Sequence, residues 1–95
     1  MENLFDIKDN VVVITGGTGV LGREIGRYLA LQGAHGVLLG RKEEIGKEIV
    51  SEILQQGGDA MFMQCDVMSQ ESCEQVCRTV LDKYGKVDAL LNAAG

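Results

Sequence analysis

An α/β domain, with a parallel sheet in strand order 3-2-1-4 and helices on both faces, is what the sequence predicts. Three observations predict it. Strand-like and helix-like stretches alternate along the whole chain, from Val11 to Leu91. The first strand, Val11-Val12-Val13-Ile14, is a continuous β-branched run, the pattern of a parallel strand buried on both faces. The connections are short, which gives right-handed crossovers and places helices on both sides of the sheet.

The elements follow in order. After the first strand, Leu21, Ile25 and Leu29 recur every four residues and mark one stripe of a helix, which Gly33 ends. Gly36 to Gly40 encloses a second short strand, Val37-Leu38-Leu39. Ile45, Ile49 and Ile53 form the next stripe, widened by Val50 and Leu54, with Glu43 and Glu44 in the first turn and Gly57-Gly58 at the end. Gly46 inside this helix costs about 1 kcal/mol against alanine. Ala60 to Cys65 is the third strand. Ser69 is the N-cap of a third helix, whose expected stripe is Cys73, Cys77, Val80 and Tyr84 and whose end is Gly85. Val87 to Leu91 is the fourth strand, and the chain ends at Gly95. The sheet is therefore expected to be truncated after its fourth strand. Its last strand would be an uncovered apolar edge of the kind that pairs with other chains.

A length of 95 residues allows one domain, residues 1–95, and 45% hydrophobic content is enough for a core. The net charge of −5 argues against nucleic-acid and membrane-surface partners, because no basic patch is available to neutralise phosphates. The N-terminus lacks a basic-then-apolar signal pattern, and no apolar run approaches the ~20 residues of a membrane span. The chain therefore reads as cytoplasmic. Cys65, Cys73 and Cys77 are expected to be buried, reduced thiols, because a metal site would need donors that the lone His35, in another element, does not complete.

Four stations carry the chemistry. The first is Thr15-Gly16-Gly17-Thr18-Gly19-Val20-Leu21-Gly22, which follows the first strand without a gap. Gly17, Gly19 and Gly22 satisfy G-x-G-x-x-G between a strand and a helix, the context in which a helix N-terminus holds a pyrophosphate. A tight turn with no ligand is the alternative, but four glycines in eight residues cost more conformational entropy than a mere turn requires. A P-loop is excluded, since Arg23-Glu24 follows Gly22 where Lys-Ser/Thr would be needed.

The second station is the end of strand two. A site for NAD places an acid there, about 20 residues past the glycines, to bind the ribose 2′-hydroxyl. This chain has Gly40, then Arg41-Lys42. Absence of the carboxylate removes repulsion, and a guanidinium can grip a 2′-phosphate by two hydrogen bonds. NADP(H) is therefore favoured over NAD(H), the alternative being that Arg41 and Lys42 are solvated residues of a helix start. The third station is Asp66-Val67, where the Asp can accept a hydrogen bond from an adenine amino group while a neighbouring amide reads the ring. Its alternative is a plain loop start. The fourth is Asn92-Ala93-Ala94-Gly95, whose small residues keep a site floor open while the Asn side chain ties neighbouring strands together; an ordinary strand end is the alternative.

In order and interval, these stations resemble the short-chain dehydrogenase/reductase family across nearly the whole chain. Thr15 to Gly22, Asp66-Val67 and Asn92 to Gly95 match that family's glycine turn, its Asp-Val pair and its Asn-Asn-Ala-Gly-type stretch. The resemblance implies a Rossmann-type fold and an NAD(P)-dependent oxidoreductase acting on a small carbonyl or alcohol substrate, in a protein that forms a homo-oligomer. Val20 stands where the commoner turn, T-G-x-x-x-G-x-G, has a glycine, and the spacing here is that of the extended branch. The turn is also similar to that of fructuronate reductase (D-mannonate oxidoreductase) members, which generally keep an Asp where this chain has Gly40.

The family's Ser and Tyr-x-x-x-Lys lie beyond its fourth strand. Here Tyr28 is followed four residues later by Gln32, and Tyr84 by Asp88. Both tyrosines read as helix-face residues. The expectation is a cofactor-binding part without catalytic residues of its own, inactive alone. A non-catalytic NAD(P)-binding regulatory or redox-sensing module explains the same residues. A methyltransferase shares the glycine turn but expects an acid at position 40.

Overall fold

The computed structural model describes residues 8–93. Seven elements follow one another: β1 (Val11–Thr15), α1 (Val20–Leu31), β2 (His35–Gly40), α2 (Glu43–Gln55), β3 (Asp59–Gln64), α3 (Gln70–Tyr84) and β4 (Ala89–Asn92). The strands form one parallel sheet in the order β3-β2-β1-β4, with Val13 opposite Val37 on one side and Leu90 on the other. The chain runs outward from β1 to β3, then returns through α3 to place β4 beyond β1. Ligands on such sheets bind at this reversal, outside the carboxyl ends of the strands.

Alternation along the strands divides the core in two. Val12, Ile14, Leu38 and Ala60 point to the face covered by α1 and α2, where they meet Ala30, Ile49 and Ile53. Val11, Val13, Val37 and Leu39 point to the other face, against Val76 and Val80 of α3. Helices therefore cover both faces, as the continuous apolar runs require.

The helix ends are built locally. In α1 the Gly33 N–H donates to Ala30 O and the Ala34 N–H to Leu29 O; in α2 Gly57 and Gly58 repeat the pattern on Leu54 and Ile53. These paired bonds satisfy carbonyls that would otherwise be orphaned, and they need a left-handed residue, which Gly33 and Gly57 supply with φ of 96° and 90°. Gly46 is tolerated inside α2 for a packing reason. A Cβ there would stand 2.2 Å from the Phe62 ring, so the strand's aromatic side chain lies directly on the helix backbone.

Three expectations need correction. The inward stripe of α3 uses Val76, which is buried, where Cys77 was expected, and Cys77 is exposed. The two are neighbours on the helix, and the branched, more apolar residue takes the sheet-facing position. Of the three free thiols, Cys65 is buried and Cys73 half-buried. The fourth strand begins at Ala89 and not Val87, because the Asp88 carboxylate, and not a ladder carbonyl, accepts the Val11 N–H at 2.7 Å. β4 is also exposed along its whole length, with Leu90 66% accessible.

Candidate functional site

The sheet is parallel, so Thr15, Gly40, Gln64 and Asn92 end their strands on the same side. This brings the four stations to one edge of the molecule. At its centre lies the turn after β1. Gly16 adopts φ of 69°, a left-handed conformation that reverses the chain, and the Gly17 N–H donates to Leu39 O at 2.9 Å, pinning the turn to β2. A Cβ on Gly17 would meet Leu38 Cβ at 2.9 Å, and one on Gly22 would meet Gly16 O at 2.2 Å. Helix and turn thus approach as closely as two backbones can.

The start of α1 is left open. Gly19 occupies the N-cap, no side chain caps it, and no acid lies in the first turn. Its first amides have no acceptor within the helix by construction. With the positive end of the helix dipole behind them, they present to solvent the donors and field that suit an anion. Val20 and Leu21, 84% and 62% exposed, leave it accessible to solvent.

Arg41, Gln64, Cys65, Asp66 and Ser72 line an adjacent cleft of about 450 Å³. Arg41 Nη2 lies 3.3 Å from Asp66 Oδ1, a solvent-exposed ion pair that costs little to open. Asp66 is otherwise held by its own loop: its Oδ1 accepts the Met68 N–H at 3.0 Å, and its N–H donates to Ser72 Oγ at 3.1 Å. Gln64 Nε2 donates to Arg41 O at 3.2 Å, fixing the backbone where the basic pair begins. Lys42 is the exposed N-cap residue of α2 and Val67 is half-exposed beside Asp66.

On the other side of β1, Thr15 Oγ1 donates to Asn92 Oδ1 at 2.9 Å, and the Ala93 N–H donates to Thr15 O. The Asn side chain does tie the two strands together. Ala94 and Gly95, the remaining residues of that station, lie outside the described residues.

Neither tyrosine joins this edge. Tyr28 is 64% exposed on α1. Tyr84 belongs to a cluster at the opposite end of the sheet, which sequence reasoning missed. His35 Nδ1 lies 2.6 Å from Asp59 Oδ2, the Tyr84 hydroxyl donates to the same oxygen at 3.3 Å, and the His35 and Tyr84 rings stack with centroids 4.9 Å apart. Burial, then the Asp59 charge, push Tyr84 up to about 12. The cluster joins β2, β3 and α3, and its only sequence signal is that His35 and Asp59 each open a strand. Burial, then the Cys65 thiol, raise the Cys73 thiol above its ordinary range. No group of metal-ligating side chains occurs among the described residues, and no helix there is long and apolar enough to cross a membrane.

An α/β nucleotide-gripping unit is the class that this sheet order and turn define. The short chain dehydrogenase family model matches residues 10–95, and the chain belongs to that family. A 3beta-hydroxysteroid dehydrogenase of Mediterraneibacter gnavus is 34% identical over 87 residues, 92% of this chain and 32% of that protein. Among solved structures, a hydroxysteroid dehydrogenase from Escherichia coli is similar with a TM-score of 0.89 at 32% identity, over 94% of this chain and 38% of that one. A metagenomic short-chain oxidoreductase in complex with NADP has a TM-score of 0.84 at 30% identity, over 90% of this chain and 38% of that one. The chain spans about a third of the length of the curated relatives it matches.

Proposed function

We propose that residues 1–95 form the cofactor-binding domain of an NAD(P)-dependent oxidoreductase and that the domain prefers NADP(H). The observation that carries this reading is the start of α1: an uncapped, acid-free helix N-terminus set behind glycines whose side-chain positions are filled by backbone. The amides at the start of α1, residues 20–22, would hold the diphosphate within the turn of residues 16–22. Arg41 and Lys42 would face the 2′-phosphate, with no carboxylate at Gly40 to repel it. Asp66 would turn from Arg41 to the adenine amino group, with the Val67 backbone against the ring, and Asn92 to Gly95 would floor the site. When bound, the cofactor supplies hydride chemistry at its nicotinamide, exchanged in the whole protein with a carbonyl or alcohol carbon of a small substrate. None of the described side chains at this edge offers a proton donor matched to that step, so the chain alone is expected to bind without turning over.

Similar solved structures hold NADP or NAD+, which supports a dinucleotide site, and the choice of NADP(H) rests on Gly40 and Arg41. Three free thiols suit a reducing, cytoplasmic setting.

Fluorescence titration of the chain with NADPH and NADH tests the reading. NADPH should bind more tightly, and Arg41→Ala should weaken it about tenfold or more while leaving NADH within about twofold, as expected for loss of a charge-assisted hydrogen bond. Equal affinity for both, or equal weakening of both by Arg41→Ala, contradicts the NADP(H) preference.

A further inference from the structure

Gly40 closes β2 at the position from which an acidic side chain would reach a ribose 2′-hydroxyl. Its φ is not positive, so its backbone conformation does not call for glycine. The space does. A Cβ built on Gly40 would stand 2.7 Å from Thr18 Oγ1, 3.0 Å from Thr18 Cγ2 and 3.4 Å from Thr18 Cβ. Both γ atoms of Thr18 therefore flank the place where any side chain at 40 would begin.

Rotation relieves this only in part, since the γ position at 3.0 Å is tight where the one at 2.7 Å clashes. A χ1 bond offers three staggered positions, and a threonine fills two of them. The two filled here are the two that flank Gly40. Either of the other rotamers empties only one, so a γ atom always remains beside residue 40. A serine, with one γ atom, can turn it into the third position. β-Branching, and not the hydroxyl, is what keeps position 40 crowded.

We propose that Thr18 is a specificity-determining residue, which crowds position 40 and so disfavours there the carboxylate that would select a 2′-hydroxyl. Arg41 is then left to face the 2′ position unopposed. The inference rests on the cofactor reading above and deepens it. A turn residue on one strand end sets the chemistry available at the next, and replacing Gly40 alone does not convert the site.

A variant set separates the exclusion from the cofactor reading. Melting of the wild-type chain, Thr18→Ser, Gly40→Ala and the double variant reads the exclusion without any ligand. Gly40→Ala should melt about 5 °C or more below wild type, as overpacking does in a domain this small, and adding Thr18→Ser should restore most of the loss. Thr18→Ser alone should change little. Titrations with NADPH and NADH then compare Gly40→Asp with Gly40→Asp/Thr18→Ser. The double variant should bind NADH at least tenfold more tightly than Gly40→Asp does, and NADPH more weakly than wild type. Gly40→Ala melting like wild type, a loss that Thr18→Ser does not relieve, or Gly40→Asp alone taking NADH as tightly as the double variant would each overturn the proposal. A wild-type chain that binds neither dinucleotide overturns the function proposed above, while the melting cycle still judges the exclusion by itself.

Discussion

The helices α1 and α3 both start at the carboxyl end of the sheet, yet their first turns are built in opposite ways. In α3, Ser69 Oγ accepts the Ser72 N–H at 3.2 Å, and Glu71 sits in the first turn. The helix closes its own donors with a hydroxyl and answers its own dipole with a carboxylate. In α1 the cap is a glycine without a side chain, and the first turn holds no acid. Nothing in the amino-acid repertoire forbade a serine and a glutamate there. Their absence leaves several N–H groups and a positive field facing solvent, in a turn whose glycines the packing demands. A helix start that forgoes local stability beside a close-packed turn suits the anion-binding role proposed for it.

The largest expected effect comes from closing the backbone approach that only α1 has. Gly22→Ala places a methyl against Gly16 O and Gly17 Cα, atoms that cannot swing aside, and should cost about 3 kcal/mol or more in denaturant unfolding while abolishing NADPH binding. If it melts like wild type, the close approach is not needed and the comparison fails. Ser69→Ala removes the cap that only α3 has. It should cost about 1 kcal/mol and leave NADPH affinity unchanged within about twofold; a larger loss of affinity than of stability would show that the two helix starts are not independent.

Giving α1 what α3 already has should produce opposite signs in two measurements. Leu21→Glu puts an acid into an exposed first turn, and should stabilise the chain by about 0.3–1 kcal/mol at low salt while weakening NADPH by at least about tenfold. The smallest effect lies at the other end of β1. The Val11 N–H, then Lys86, hold the Asp88 carboxyl below its ordinary value of 3.8. A depressed carboxylate pKa stabilises the fold above the unfolded value and loses that contribution as pH falls through the folded one. Acid unfolding of wild type should therefore show a component below about pH 4 that Asp88→Asn lacks.

The parts of this molecule that repeat were legible in the sequence. The β-branched run at 11–14 and the four-residue stripes of α1 and α2 each carry their period within one element, and the strand order follows from short parallel connections. What required two distant elements was not legible. Choosing between Val76 and Cys77 on α3 depends on how the helix is rotated over the sheet, and neighbouring residues on a helix give the same period. The His35–Asp59–Tyr84 cluster joins residues 24 and 25 positions apart through strand register. The Arg41–Asp66 pair and the Thr18–Gly40 conflict arise in the same way. The glycine turn announced itself because its chemistry lies in the backbone, and only glycine leaves that mark in a sequence.

Amide chemical shifts of the uniformly ¹⁵N-labelled chain during an NADPH titration test the central assignment most directly, because they read the backbone donors themselves. Large shifts should concentrate on residues 16–22, with smaller ones at Arg41 and Asp66, while the capped Ser72 amide moves far less. Saturable binding with residues 16–22 unmoved, or with its largest shifts at the start of α3, would contradict the account.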